Sequence, residues 1–215
     1  YGSARNGSGA GGANLFGELV LQGKVAKMAD DVFIGGATVQ ELANNFEEVL
    51  GILQENNLRL SSKKTVIAPQ SVTILGWIWA SGYLKASPHK LSPLSECEPP
   101  LTVSSLKSYL GAYRFLSRVV KDYASLLSPL EAMITGKQAG NVKLVWSDDQ
   151  LQSFKKAKSA LKDVKAIVLP RPDDVLWIVT DAASQPGSIG ATLYAIRGTK
   201  TLLAGFYNVK LPVFQ

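Results

Sequence analysis

Lys24-Val-Ala-Lys-Met-Ala-Asp-Asp-Val-Phe-Ile-Gly-Gly36 is the stretch on which the fold turns. Two short β-prone runs flank adjacent aspartates, which predicts a hairpin with Asp30 and Asp31 at or beside its turn. Neighbouring carboxylates repel each other, and a tight turn suits them poorly without a cation. Magnesium takes oxygen ligands, commonly one or two carboxylates plus phosphates. Two such ions hold the attacking and leaving oxygens of a phosphoryl transfer. Alone the pair is a weak signal, because most such pairs are solvated loop residues.

Working outward, residues 2–13 carry no large apolar side chain and many glycines, which predicts a flexible arm. Leu15 to Leu21 has helical spacing and stops at Gly23. Downstream, Thr38 and Glu41 have the spacing of a capping box before a helix over Val39–Asn56. Its apolar face is Leu42, Phe46, Val49, Leu50 and Leu53. Strands are predicted over Thr65–Ala68 and Val72–Ala80. Residues 85–102 are rich in Pro and Ser and read as a connector. A long helix follows Thr102 to about Asp122, and another runs from Ala124 to Thr135. Ser147 with Gln150 opens a third, ending near Asp163. Residues 171–174 read as a turn, and Leu176–Thr180, Gly190–Arg197 and Lys200–Tyr207 as three antiparallel strands.

Composition narrows the class. With 46% hydrophobic and 19% charged residues, the 215-residue chain can bury a core. No apolar run approaches the roughly 20 residues of a membrane span, and no segment reads as a signal peptide. One Cys and one His exclude an intrachain disulfide and a structural zinc site. The net charge of +6 lies wholly in residues 101–165, which hold eleven Lys or Arg against five Asp or Glu. Localised positive charge fits phosphate binding, although a solvated lysine-rich surface has the same composition. On a helix after Thr102, Lys107, Arg114, Arg118 and Lys121 fall within roughly 60° of one another at about 100° per residue. Leu106, Tyr109, Tyr113, Leu116 and Val120 fall opposite.

These segments together resemble the reverse transcriptase and RNase H region of long-terminal-repeat retroelement Pol polyproteins. The likeness runs over residues 15–211. Met28-Ala29-Asp30-Asp31 resembles the family's aromatic-x-Asp-Asp box, with Met in the usual Tyr position. Ser61-Ser-Lys-Lys-Thr65 resembles the Lys-bearing segment after the palm helix, and Thr73-Ile-Leu-Gly-Trp-Ile78 the strand turn that grips the primer. Pro100 to Arg118 resembles the thumb helix. Ser128-Pro-Leu130 and Trp146-Ser-x-x-Gln150 follow in the family's order. Leu176-Trp-Ile-Val-Thr-Asp181 with Gly187-x-x-Gly190-Ala191 resembles the first RNase H hairpin. Leu-Gly-Trp-Ile-Trp and Leu-Pro-Arg-Pro-Asp are most similar to the BEL/Pao group, with gypsy and retroviral enzymes also similar.

The resemblance implies an α+β fold. A partial polymerase palm (hairpin, helix, strands) precedes a helical thumb or connection and the start of an RNase H-like mixed sheet. The corresponding division is a Gly/Ser arm at 1–14, palm at 15–84, connector at 85–102, thumb and connection at 103–170, and truncated RNase H-like domain at 171–215. It implies RNA-directed DNA polymerisation with Mg2+ or Mn2+ on an RNA or DNA template-primer. Asp30, Asp31 and Lys64 would be catalytic, and Asp30, Asp31 and Asp181 metal ligands. Leu75, Gly76 and Trp77 would grip the primer, and Lys107, Arg114, Arg118 and Lys121 would meet nucleic acid. The family needs a third palm carboxylate and fingers, which these residues do not supply, so the fragment is expected to be inactive alone. The alternative is a non-enzymatic nucleic-acid-binding or structural protein derived from a retroelement. Other expectations are an intracellular setting (cytoplasm, nucleus or virus-like particle), no membrane partner, and either the missing palm and fingers or self-association through an open sheet edge.

Overall fold

The computed structural model describes residues 15–28, 31–136, 139–183 and 188–210, and the chain forms two compact units, residues 1–69 and 70–215. It is α+β, with six helices and three antiparallel sheets among the described residues.

The first unit begins with helix α1 (Gly17–Leu21), which ends before Gly23 at φ +72°. Strands β1 (Val25–Met28) and β2 (Asp31–Ile34) pair antiparallel, Val25 opposite Ile34 and Met28 opposite Asp31. Helix α2 (Val39–Glu55) follows, with the Glu41 amide donating to Thr38 Oγ1 at 3.1 Å. The Glu41 carboxylate accepts from the Ala37 amide at 2.8 Å rather than from Thr38, so the capping motif is shifted by one residue from expectation. Gly36 is required here. A Cβ would strike the Leu42 backbone amide and lie 2.8 Å from the Leu42 Cα, so only glycine lets the helix start this close to the strand. Phe16, Leu19, Val25, Val49 and Leu53 form the core. Leu50, expected on the apolar face, is exposed. Asn45 is buried instead, its Nδ2 donating to the Gly35 carbonyl at 2.7 Å, which satisfies a polar group that burial would otherwise penalise.

The second unit opens with a four-stranded sheet in the order β3 (Ser71–Ile74), β4 (Trp77–Ala80), β5 (Tyr83–Ala86), β6 (Ile167–Val168). The sequence reading joined 72–80 into one strand. The structure makes it a hairpin, because Leu75 and Gly76 both take positive φ, +50° and +83°, the conformation of a tight two-residue turn. Residues 65–68 form no strand. The Pro/Ser-rich stretch 85–102 holds the end of β5 and helix α3 (Pro88–Glu96). Pro88 sits at the first helical position, where its missing N–H costs nothing.

Helix α4 (Val103–Arg114) carries a full capping box between Thr102 and Ser105. It stops eight residues short of the expected Asp122. Beyond it the chain winds through tighter turns, Leu116 N–H to Tyr113 O at 2.9 Å and Val119 N–H to Leu116 O at 2.9 Å, which bury Leu116, Val119 and Val120. Asp122 then takes φ +54° ahead of α5 (Tyr123–Ala132). Helix α6 (Asp148–Lys162) has the expected Ser147/Gln150 capping box complete.

Tyr113, Leu106, Leu110, Leu127, Leu130, Phe154 and Leu161 form the main core. The Tyr113 hydroxyl donates to the Ala157 carbonyl at 2.9 Å, tying α4 to α6. Burial pushes the ionisation of Tyr113 and Tyr109 well above the usual phenol range.

The third sheet has the order β7 (Val175–Ala183), β8 (Ser188–Arg197), β9 (Lys200–Lys210). A bulge at β9 sets both Gly205 and Leu203 against consecutive β8 residues. A Cβ on Gly205 would lie 3.4 Å from Arg118 Cγ, and the next amide, Phe206, donates to the Arg118 carbonyl at 2.9 Å. The bulge thus seats β9 on the segment after α4.

Candidate nucleic-acid interface and carboxylate sites

Asp31 opens β2, exposed, facing Met28 across the hairpin. Asp30 lies outside the described residues. Lys64 stands exposed in a turn after α2, where its amide donates to the Ser61 carbonyl at 2.9 Å. Asp181 was expected at a strand end. It lies within β7, exposed, opposite Gly190. Among the described residues no three His, Cys, Asp or Glu side chains gather as a metal site needs. Asp31 offers a solvent-facing carboxylate of the right chemistry for magnesium, and it would need further oxygen ligands to complete a site.

The basic residues do not form one helical stripe. Lys107 and Arg114 are on α4, whereas Arg118 and Lys121 follow its end. Arg114 pairs with Glu131 on α5 at 2.6 Å. Arg118 meets the β9 bulge through its backbone and Cγ, and the residue as a whole is exposed. The expected alignment fails because the tighter turns after Arg114 break the 100° repeat.

Leu75 is 62% exposed at the tip of the β3–β4 hairpin. Trp77 points inward, its ring 5.0 Å from that of Phe115, so it packs rather than offering a face for stacking.

Sequence reading missed a basic cleft of about 320 Å³ between the end of α3 and α6. Lys155, Lys158 and Lys162 line it from successive turns, opposite Ser95 and Glu98. Lys158 donates to the Cys97 carbonyl at 2.6 Å and lies 5.5 Å over the Phe154 ring. The i, i+3, i+7 spacing of the lysines was the available signal.

No family model matches the chain. Among known proteins, the Pol polyprotein of the Drosophila melanogaster transposon opus is 30% identical over 171 residues, 76% of this chain and 17% of that protein. The gypsy Pol polyprotein of the same organism is 25% identical over 187 residues, 81% of this chain and 18% of the relative. This chain is a relative of retroelement Pol polyproteins. The Gag-Pol polyprotein of woolly monkey sarcoma virus is also similar, 24% identical over 66% of the chain and 8% of its own length. The chain therefore spans less than a fifth of these retroelement relatives. The foamy viral protease-reverse transcriptase dRH in complex with ds DNA matches the fold with TM-score 0.76 and 20% identity, over 93% of this chain and 34% of that one. Another, in complex with RNA/DNA hybrid, matches with TM-score 0.73 and 18% identity, over 93% of this chain and 26% of that one. The fold is that of the viral protease-reverse transcriptase structures, and the sequence kinship is with retroelement Pol polyproteins. No helix among the described residues is long and apolar enough to cross a membrane.

Proposed function

We propose that the chain is part of an RNA-directed DNA polymerase that holds a template-primer and contributes carboxylates to nucleotidyl transfer. The observation that carries the reading is one of order. An Asp-bearing hairpin, a capped amphipathic helix, a glycine-turned hairpin, a basic helical body and an Asp-bearing three-stranded sheet follow each other along one chain. The same succession fits the fold of the viral enzymes. Asp30 and Asp31 would hold Mg2+ or Mn2+ with groups from elsewhere in the polyprotein, and the ion would stabilise the charge developing on the transferred phosphoryl. Lys64 would donate a proton to the departing pyrophosphate. The hairpin tip at Leu75, Gly76 and Trp77 would steady the primer. Lys107, Arg118 and Lys121, with the exposed edge of Arg114, would meet phosphates without reading sequence. Asp181 would ligate metal in a completed RNase H-like site.

The division read from the sequence, palm at 15–84, connector at 85–102, thumb and connection at 103–170 and RNase H-like part at 171–215, is a proposal of roles along the chain, whose two compact units are 1–69 and 70–215. The setting is intracellular, in cytoplasm, nucleus or particle. The outer edge of β7 would pair with another strand, in the isolated chain that of a second copy.

Primer extension on an RNA template with magnesium tests the reading, using a longer polyprotein that includes this region. Asp31→Asn should abolish extension while leaving hybrid affinity nearly unchanged. Wild-type extension by that variant would overturn the catalytic assignment and favour a binding or structural role.

A further inference from the structure

The β3–β4 turn packs against α3 and the end of α4, and the Lys90 side chain lies directly against it. A Cβ at Gly76 would fall on Lys90 Cε and lie 2.6 Å from its Cγ and 3.0 Å from its Cδ. The Lys90 stem therefore fills the space where any other residue's side chain would begin. The Ser87 amide, at the N-cap of α3, donates to the Gly76 carbonyl at 2.9 Å, and the Lys90 amide donates to the Ser87 carbonyl at 2.9 Å. The first turn of α3 is thereby fixed to the hairpin through backbone. The Lys90 ammonium lies 5.4 Å over the Phe115 ring, and Phe115 packs on Trp77, the residue after Gly76. The contacts close a ring from turn to lysine to Phe115 to Trp77 and back. Leu75 needs such support, because an L-residue with a side chain pays for its φ of +50°. Lys90 itself is exposed, and no carboxylate pairs with it among the described residues. Its stem lies against Gly76 while its charge stays in water, next to an exposed hairpin tip.

We propose that Lys90 is the positioning residue of this turn and supplies its phosphate contact. The stem keeps Gly76 in its left-handed conformation. The ammonium, tethered over Phe115, pairs with a phosphate of the nucleic-acid strand lying along Leu75 and Gly76. The inference rests on the reading of this turn as a strand grip.

Lys90→Met, Lys90→Ala and Lys90→Arg in the 215-residue chain separate the two tasks. Hydrogen exchange over residues 71–80, without nucleic acid, reads the lock. The salt dependence of RNA–DNA hybrid binding reads the phosphate contact. Lys90→Met keeps an unbranched stem and loses the charge, so exchange should stay at the wild-type rate while the salt slope falls by about one. Lys90→Ala should lose both, with exchange around Trp77 faster by about tenfold and the rest of the chain unchanged. Lys90→Arg should recover the slope. Wild-type exchange in Lys90→Ala overturns the lock, and an unchanged slope in Lys90→Met overturns the contact. A wild-type chain with no salt-dependent binding would sink the strand-grip reading and the phosphate contact with it, while the exchange result still decides the lock.

Discussion

Phe154 on α6 is 2% exposed, and Trp177 on β7 is 59% exposed. Both are large aromatics in apolar company, and the contrast separates a buried helical face from an exposed strand. Helix α6 has a 3.6-residue pattern, with Phe154, Ala157 and Leu161 inward and Lys155, Lys156 and Lys162 outward. Strand β7 reads Val-Leu-Trp-Ile-Val, apolar on both faces, the pattern of a strand covered on both sides. Val175 to Val179 are nevertheless all more than half exposed. Among the described residues β8 alone pairs with β7, whereas β9 is seated on Arg118 and reaches Ser128 through Lys210. Among the described residues the helical body buries its apolar face, whereas the apolar residues of β7 stay exposed.

The largest expected effect tests that contrast directly. Phe154→Ala should cost about 3–5 kcal/mol in urea unfolding, by lost burial and the cavity left behind. Ile178→Ala should change stability by no more than about 0.5 kcal/mol. Comparable losses at the two sites would show that β7 is covered after all. A second effect concerns association. Sedimentation of the isolated chain should show self-association that Ile178→Lys weakens, because a charge on an open edge opposes strand addition. A concentration-independent monomer would remove the open edge from the account.

Smaller effects sharpen the boundary between the parts. Ser147→Ala should cost about 1 kcal/mol, since its hydroxyl accepts from the Gln150 amide at the start of α6. The start of β7 is pinned differently. Asp174 accepts from Arg197 Nε and Nη2 at 2.8 and 2.7 Å and from the Arg171 amide at 2.9 Å. The Arg197 hydrogen bonds, with that amide, hold its carboxyl down at about 2. A lowered folded value means the pair contributes fully above the ordinary carboxylate range and is lost as pH falls toward 2. Asp174→Asn should flatten the fall in urea midpoint between pH 5 and pH 2. An unaltered pH profile would show that the pair contributes nothing.

The elements set by local rules were legible in the sequence. The caps at Thr38 and Ser147 and the strand run from Leu176 all follow from spacing and turn chemistry. What escaped depends on contacts distant in sequence. The end of α4 is drawn inward by Leu116, Val119 and Val120, so a stripe of basic residues computed on a straight helix dissolved. The turn at Leu75 requires a left-handed leucine, which propensity disfavours and α3 supports. Strand β6 is only two residues and exists because β5 offers an edge to it. Asn45 is not among the apolar positions read from the spacing of α2, and its burial depends on the Gly35 carbonyl that accepts from its amide. At the candidate site, residue types were readable, while the use of Arg114 by Glu131 and of Lys90 by Gly76 was not.

The salt dependence of RNA–DNA hybrid binding by the intact chain tests the central claim most directly. Phosphate contact through the basic third should make affinity fall steeply with salt, and the slope should drop by roughly one for each of Lys107→Ala, Arg118→Ala and Lys121→Ala. Arg114→Ala should move it less, because Glu131 already pairs with that guanidinium. Affinity indifferent to salt, or a slope untouched by all four substitutions, would contradict nucleic-acid contact by this region.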